Sequence, residues 1–191
     1  MSLKYILLGV LSESQSGYDI KKYFENSLKN FWNAELSQIY PLLQKMEKEG
    51  LLNGTTGDSD IGPKKRVYGR TEKGNSELES WLSEGPVVGS ERIAYLAQVF
   101  FLASLKDKAS AIAYMQKLKD YMAARLATLK AVETEWAGQD ARYPDALPDD
   151  EFYPQLTLTL GIARLRGTVE WCEECISRIQ ARKEEPVEAG Q

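Results

Sequence analysis

A mainly α-helical chain of two domains is what this sequence predicts, on three observations. Apolar residues recur at helical spacing through most of the 191 residues. Two short extended stretches, 51–55 and 64–70, flank a Gly- and Asp-rich turn and read as a β-hairpin. The break Glu84-Gly85-Pro86 then separates a mixed first unit from a long helical remainder.

The elements follow in order. Leu3, Ile6, Leu7, Val10 and Leu11 place a first helix over 1–11. After a Ser-rich turn, a second helix over 16–28 carries Ile20, Phe24 and Leu28 on one face. A third is set by Leu36, Ile39, Tyr40, Leu43 and Met46 and ends at Glu49-Gly50, where glycine is a natural stop. Pro41 belongs near its start, because deeper in the helix it deletes a backbone hydrogen bond; Ser37 is the expected N-cap. The hairpin follows, and Thr71 caps a helix over 72–83 that buries Leu78, Trp81 and Leu82. Helix, helix, helix, hairpin, helix is the order of a winged helix-turn-helix, with the hairpin as the wing.

Beyond residue 85 a helix is expected over 91–105, with Ile93, Leu96, Ala97, Phe100 and Phe101, and a long one over 107–138. A loop with Pro144 and Pro148 leads to the last helix. There Leu158, Ile162, Leu165, Val169, Cys172, Ile176 and Ile179 step by 4, 3, 4, 3, 4, 3. Such a heptad seam meets another helix, either in a second copy of the chain or as an antiparallel pair within one chain. The expected role is a dimer interface. The domains are therefore 1–85, a winged helix-turn-helix with a small β-hairpin wing; 86–183, an α-helical dimerisation and effector domain; and 184–191, a flexible tail.

Composition narrows the function. The chain has no histidine, which removes His-dependent triads and most neutral-pH proton shuttles. Two cysteines build no disulfide framework and point to a reducing compartment. No apolar run approaches the ~20 residues needed to span a bilayer, and 1–11 lacks a signal-peptide cleavage site, so the expected location is the cytoplasm. No nucleophile–base pair, phosphate-cradling loop or metal cluster is visible, so no enzyme, cofactor or metal is expected. Net charge is −4, with 11 basic against 12 acidic residues up to Gly85. That balance argues mildly against nucleic acid; the placement of the charges argues for it.

In a winged helix the third helix enters the major groove with its N-terminal residues at base edges. Here those are Ser37, Gln38 and the flank of Tyr40; glutamine bonds an adenine edge in bidentate fashion. Lys45 and Lys48 lie further along and suit phosphate. Lys64, Lys65 and Arg66, with Tyr68, form the densest basic cluster and fall on the wing, where they suit the sugar-phosphate backbone. A solvated hairpin edge is the alternative for such a cluster.

These residues carry a resemblance. Ser16-Gly17-Tyr18-Asp19-Ile20, Phe31-Trp32-Asn33-Ala34, Ser37 to Leu43, Glu49-Gly50-Leu51, and Lys64 to Tyr68 with Thr71 and Gly74 closely resemble the PadR family of bacterial transcriptional regulators. The resemblance covers residues 3–85 strongly, and the helical remainder matches the larger, phenolic-acid-responsive members. It implies a homodimer with interlocking C-terminal helices, bound to an inverted-repeat operator in double-stranded DNA, and repression relieved by a small aromatic or hydrophobic effector. It also implies that Tyr18, Tyr40 and Tyr68 hold DNA or fix the helix-turn-helix. Arg70 departs from the pattern, where an apolar residue is usual; it either adds a phosphate contact or loosens the wing.

Candidate effector residues are Tyr5, Tyr95, Trp136 and Trp171, with Phe100 and Phe101, all on faces expected to be buried or interfacial. Arg92 and Arg164 are the cations nearest those faces and suit a carboxylate. Plain core is the competing reading of the aromatics. Trp171-Cys172-Glu173-Glu174-Cys175 resembles a thioredoxin motif, but the pair falls mid-helix among carboxylates, which disfavour the thiolate. Core packing is the expected role of Cys172. The alternatives to a DNA-binding regulator are a winged-helix protein-interaction module and a thiol-based redox switch.

Overall fold

The computed structural model describes residues 2–29, 31–32, 34–57, 65–89, 91–105 and 107–182. Met1–Ser90 and Glu91–Gln191 form two compact units. The expected tail over 184–191 lies outside the described residues.

The first unit begins with α1 (Ser2–Val10), whose Leu7 and Leu8 are fully buried, as is Leu11 just beyond it. β1 (Gln15–Ser16) follows, then α2 (Gly17–Tyr23), continued by a π-helical turn over Phe24–Leu28. Ser16 and Asp19 form a capping box: the Ser16 Oγ accepts from the Asp19 N–H, and the Asp19 carboxylate accepts from the Ser16 N–H. α3 (Leu36–Lys48) buries Ile39, Leu43 and Met46 on one face. Its end is a Schellman turn: Gly50 takes φ +72°, the Leu51 N–H reaches the Met46 carbonyl and the Gly50 N–H that of Glu47.

β2 (Leu52–Gly57) and β3 (Lys65–Arg70) pair antiparallel in the register Leu52↔Arg70 to Gly57↔Lys65. β1 adds to the other edge of β3, giving the order β1-β3-β2. The expected hairpin is thus a three-stranded sheet; a two-residue strand has no periodicity to read. α4 (Glu72–Ser83) is capped by Thr71, whose Oγ1 accepts from the Gly74 N–H at 3.1 Å and donates to the Gly50 carbonyl. α1 and α4 are joined by Tyr5 stacked on Trp81, centroids 4.7 Å apart, and by Lys4 on Glu77 at 2.6 Å.

Two details correct the sequence reading. The α3 cap is Glu35, not Ser37, which sits in the first turn. Arg70 neither loosens the wing nor reaches outward: its Nη1 donates to the Leu8 carbonyl at 2.8 Å and ties β3 to the end of α1.

In the second unit α5 (Ala94–Phe100) is shorter than expected and is followed by a 3₁₀ turn, Leu102–Leu105. α6 (Lys108–Gln139), capped by Asp107, and α7 (Asp149–Ala181) form an antiparallel pair. Contacts along its length fix the antiparallel sense: Lys108 Nζ to the Gln180 carbonyl, Lys119 to Glu173, and Gln155 to Tyr143. The heptad seam finds its partner here. Met115, Leu118, Met122 and Cys172 form one core, with Leu165, Val169, Ile176 and Ile179 packed around it, and Ile162 is buried as well. Within the chain α6 covers much of the seam, because the loop between the helices returns the chain antiparallel, while Leu158, Leu165, Val169, Ile176 and Ile179 stay partly accessible. Only Leu158 of the seven belongs to neither that core cluster nor the buried residues.

Candidate nucleic-acid interface

α2 and α3 approach closely at Gly17. The Tyr40 ring covers Gly17; a Cβ there would stand 2.5 Å from the Tyr40 Cε1. This leaves Tyr40 half-exposed and fixes the angle of α3 against α2. Tyr18 is 55% exposed in the first turn of α2, with Lys22 Nζ 5.1 Å from its ring centre.

Opposite its buried stripe, α3 exposes Ser37, Gln38, Tyr40, Pro41, Gln44, Lys45 and Lys48. Pro41 has no N–H, so the Ser37 carbonyl lacks its helical donor and stays available at the surface. The Gln38 side-chain oxygen accepts from the Glu35 N–H at 3.1 Å. A bidentate adenine contact needs both ends of the amide, so Gln38 has to share or leave that cap to read a base. Lys45 lies 3.8 Å from Glu49, while Lys48 has no ion pair among the described residues.

The wing is only partly as expected. Lys64 lies outside the described residues, and Lys65 is placed as backbone opposite Gly57. Arg66 is bound to Glu47 of α3, Nη2 to Oε1 at 2.5 Å. Tyr68 is 2% exposed and belongs to the core, where burial pushes its hydroxyl pKa up. Of the two roles expected for Tyr68, it therefore fixes the fold and does not face solvent.

The six expected effector residues are divided between the two units, Tyr5 in the first and the other five in the second. Tyr5 is stacked on Trp81 in the first unit. Trp136 lies against Tyr143 at 6.2 Å. Tyr95 and Trp171 pack around the α6–α7 core, and Arg164 on α7 holds the Glu91 carboxylate through both terminal nitrogens. Arg92 is exposed. Phe100 and Phe101, expected to be buried or interfacial, are 81% and 65% exposed. An open apolar groove of about 460 Å³ is lined by Ala97, Gln98, Phe101, Leu102, Ser104, Leu105 and Tyr114. Of the aromatics singled out, only Phe101 reaches it.

Two family models match in succession: the transcriptional regulator PadR-like family over residues 7–80, and the virulence activator alpha C-term over residues 91–180. Over 180 residues the chain is 30% identical to the negative transcriptional regulator PadR of Bacillus subtilis, covering 93% of this chain and 97% of that one. The chain belongs to the PadR-like family of transcriptional regulators. The structure of B. subtilis PadR in complex with operator DNA matches this PadR-like chain with a TM-score of 0.81 at 30% identity, over 94% of this chain and 99% of that one. B. subtilis PadR in complex with p-coumaric acid matches with a TM-score of 0.77 at 28% identity, over 94% and 96%.

Sequence reasoning missed two positions on the outer face of this PadR-like α3 region. Gln44 lies seven residues after Ser37 and four after Tyr40, a spacing that places it on the same face. Glu47 has a wing partner that only the tertiary fold supplies.

Proposed function

We propose that this PadR-like regulator is a sequence-specific repressor that binds operator DNA as a homodimer in the cytoplasm. A small aromatic (phenolic-acid-like) or hydrophobic effector releases it. The observation that carries the reading is likeness over nearly the whole chain to a negative regulator whose structures hold operator DNA in one case and p-coumaric acid in another.

In this reading α3 lies in the major groove. Ser37, Gln38 and Gln44 face base edges, and Tyr18, Tyr40, Lys45, Lys48 and the wing lysines Lys64 and Lys65 meet the backbone. Two copies present their recognition helices about one DNA turn apart, ~34 Å, which selects an inverted repeat. Since α6 covers much of the heptad seam, the candidate dimer surface includes apolar side chains left exposed on the second unit, among them Phe100 and Phe101 at the end of α5, and Leu156 and Leu160 on α7. Tyr95, Arg164 and Trp171 are the effector candidates that share one region of this unit, and Arg164 must exchange Glu91 for any effector carboxylate. A hundredfold loss of operator affinity requires ~2.7 kcal/mol of coupling between effector and DNA.

The test is selection of duplexes from a random-sequence pool by the full-length protein. Anisotropy titrations of the selected and a scrambled duplex follow at two salt concentrations, with and without phenolic acids. Enrichment of an inverted repeat and steep salt dependence are expected, with release by at least one acid. No enrichment and salt-independent binding would leave a winged helix that serves a protein partner. A selected operator that no acid releases would remove the effector class and keep the DNA reading.

A further inference from the structure

An ion pair, Arg66 with Glu47, ties the wing to the recognition helix, and three observations give that pair a role. Arg66 and Tyr68 alternate with Val67 along β3, so they share a face of the sheet, the face whose Tyr68 enters the core. Arg66 is therefore directed over the sheet and not outward from it. Its guanidinium carbon lies 5.9 Å from the Tyr68 ring centre, and its Nη2 meets Glu47 Oε1 on α3 at 2.5 Å. Between them lies Gly54 of β2, directly opposite Tyr68 in the register. A Cβ at Gly54 would stand 2.5 Å from Glu47 Oε1 and 2.8 Å from Arg66 Nε. Helix, β2 and β3 thus each supply one part: a carboxylate, a gap and a guanidinium.

We propose that Glu47 is a positioning residue for DNA recognition: it holds Arg66 through the gap at Gly54 and so fixes the wing to the recognition helix. Arg66 is then a tether and not a phosphate ligand, and the phosphate contacts of this region fall to Lys48 and the wing lysines. The inference rests on the DNA-binding reading above. The arrangement makes base readout by α3 and backbone grip by the wing depend on each other, because neither element can tilt without breaking the pair. Glu47 also keeps one cation of the wing out of non-specific attraction to DNA, which favours the correct site over bulk sequence.

The experiment compares wild type with Glu47→Ala, Gly54→Ala, Arg66→Ala, Arg66→Glu and the charge-swapped pair Glu47→Arg with Arg66→Glu, all full length. The probes are a duplex selected by wild type from a random pool and a scrambled duplex. A second measurement, amide hydrogen exchange over 52–57 and 65–70, is made without DNA. Loss of the pair is expected to lower the selected-to-scrambled affinity ratio roughly fivefold and to speed exchange in both strands. Gly54→Ala is expected to do the same without altering any charge, since only side-chain ends need to move aside for its Cβ. The swapped pair is expected to recover both readouts. Arg66→Ala is expected to leave the salt slope unchanged, whereas Lys48→Ala lowers it by about one. A slope that falls by about one in Arg66→Ala, or a swapped pair no better than Arg66→Glu alone, overturns the proposal and makes Arg66 a phosphate ligand. Unchanged exchange in every variant overturns it as well. If wild type enriches no duplex, the DNA reading fails and Glu47's part in recognition with it, while the exchange arm still decides whether the pair holds the wing.

Discussion

Two glycines show how single residues set the first unit's geometry. At Gly17 a side chain would meet the Tyr40 ring, which can tilt. At Gly74 it would run into the Leu51 carbonyl, which is backbone and cannot. Gly17→Ala is therefore expected to destabilise the first unit by about 1–2 kcal/mol and Gly74→Ala by more, read as melting temperatures by circular dichroism. Equal shifts would mean that the Tyr40 ring is held as firmly as the backbone. Both glycines stand in the sequence segments that carry the family resemblance, but nothing local says why they must be glycine. The reason is a neighbour 23 residues away in each case: Tyr40 for Gly17, Leu51 for Gly74.

Cys172 also belongs to this scale. Its side chain is fully buried in the α6–α7 core, and burial pushes the thiols of both Cys172 and Cys175 up, away from the reactive thiolate. In the native protein Cys172 is expected to stay unmodified by a thiol reagent at pH 7.5 and to react on unfolding, with DNA binding unaffected by mild oxidant. Rapid native labelling, or DNA binding lost on oxidation, would reinstate the thiol switch.

At the scale of elements, α1 and α4 are clamped by Lys4 and Glu77, with Tyr5 also donating to Glu77 at 3.3 Å. The hydrogen bond from Lys4 holds the Glu77 carboxyl below its usual value of 4.5. A carboxylate depressed in the folded state adds stability above its unfolded pKa and loses it as pH falls through the folded one. The melting temperature is thus expected to be independent of pH near neutrality, where the pair contributes in full, and to drop as pH falls below about 4.5. Lys4→Met should flatten that acid limb; an identical acid limb in the variant would show that the clamp contributes nothing to it.

The recognition helix is legible in sequence as a buried stripe, Ile39, Leu43 and Met46, and so is its stop at Gly50. Its start lies two residues before the one that the capping chemistry of Ser37 predicts, because Glu35 holds the N-cap position. The consequence reaches function: Gln38 completes the Glu35 cap while lying where base edges are read. Gln38→Ala is expected to relax base preference at one position of each half-site and to cost about 1 kcal/mol of stability. A selected operator unchanged by the substitution would confine Gln38 to capping.

For the whole molecule, the order of elements, the break near residue 85 and the basic wing follow from periodicity, turn chemistry and punctuation, which are local properties of the chain. The sequence alone determined the winged helix-turn-helix, the two long helices and the regulator class. What it left open were matters of partner choice. A heptad seam states that a helix must be covered and not by which helix, and the loop between α6 and α7 brings α6 of the same chain against much of it. A basic cluster states charge and not direction, and strand register turned Arg66 toward Glu47 and Tyr68 into the core. Tertiary structure settled these because side chains distant in sequence meet only when packing, register and close approach at glycine bring them within a few ångströms.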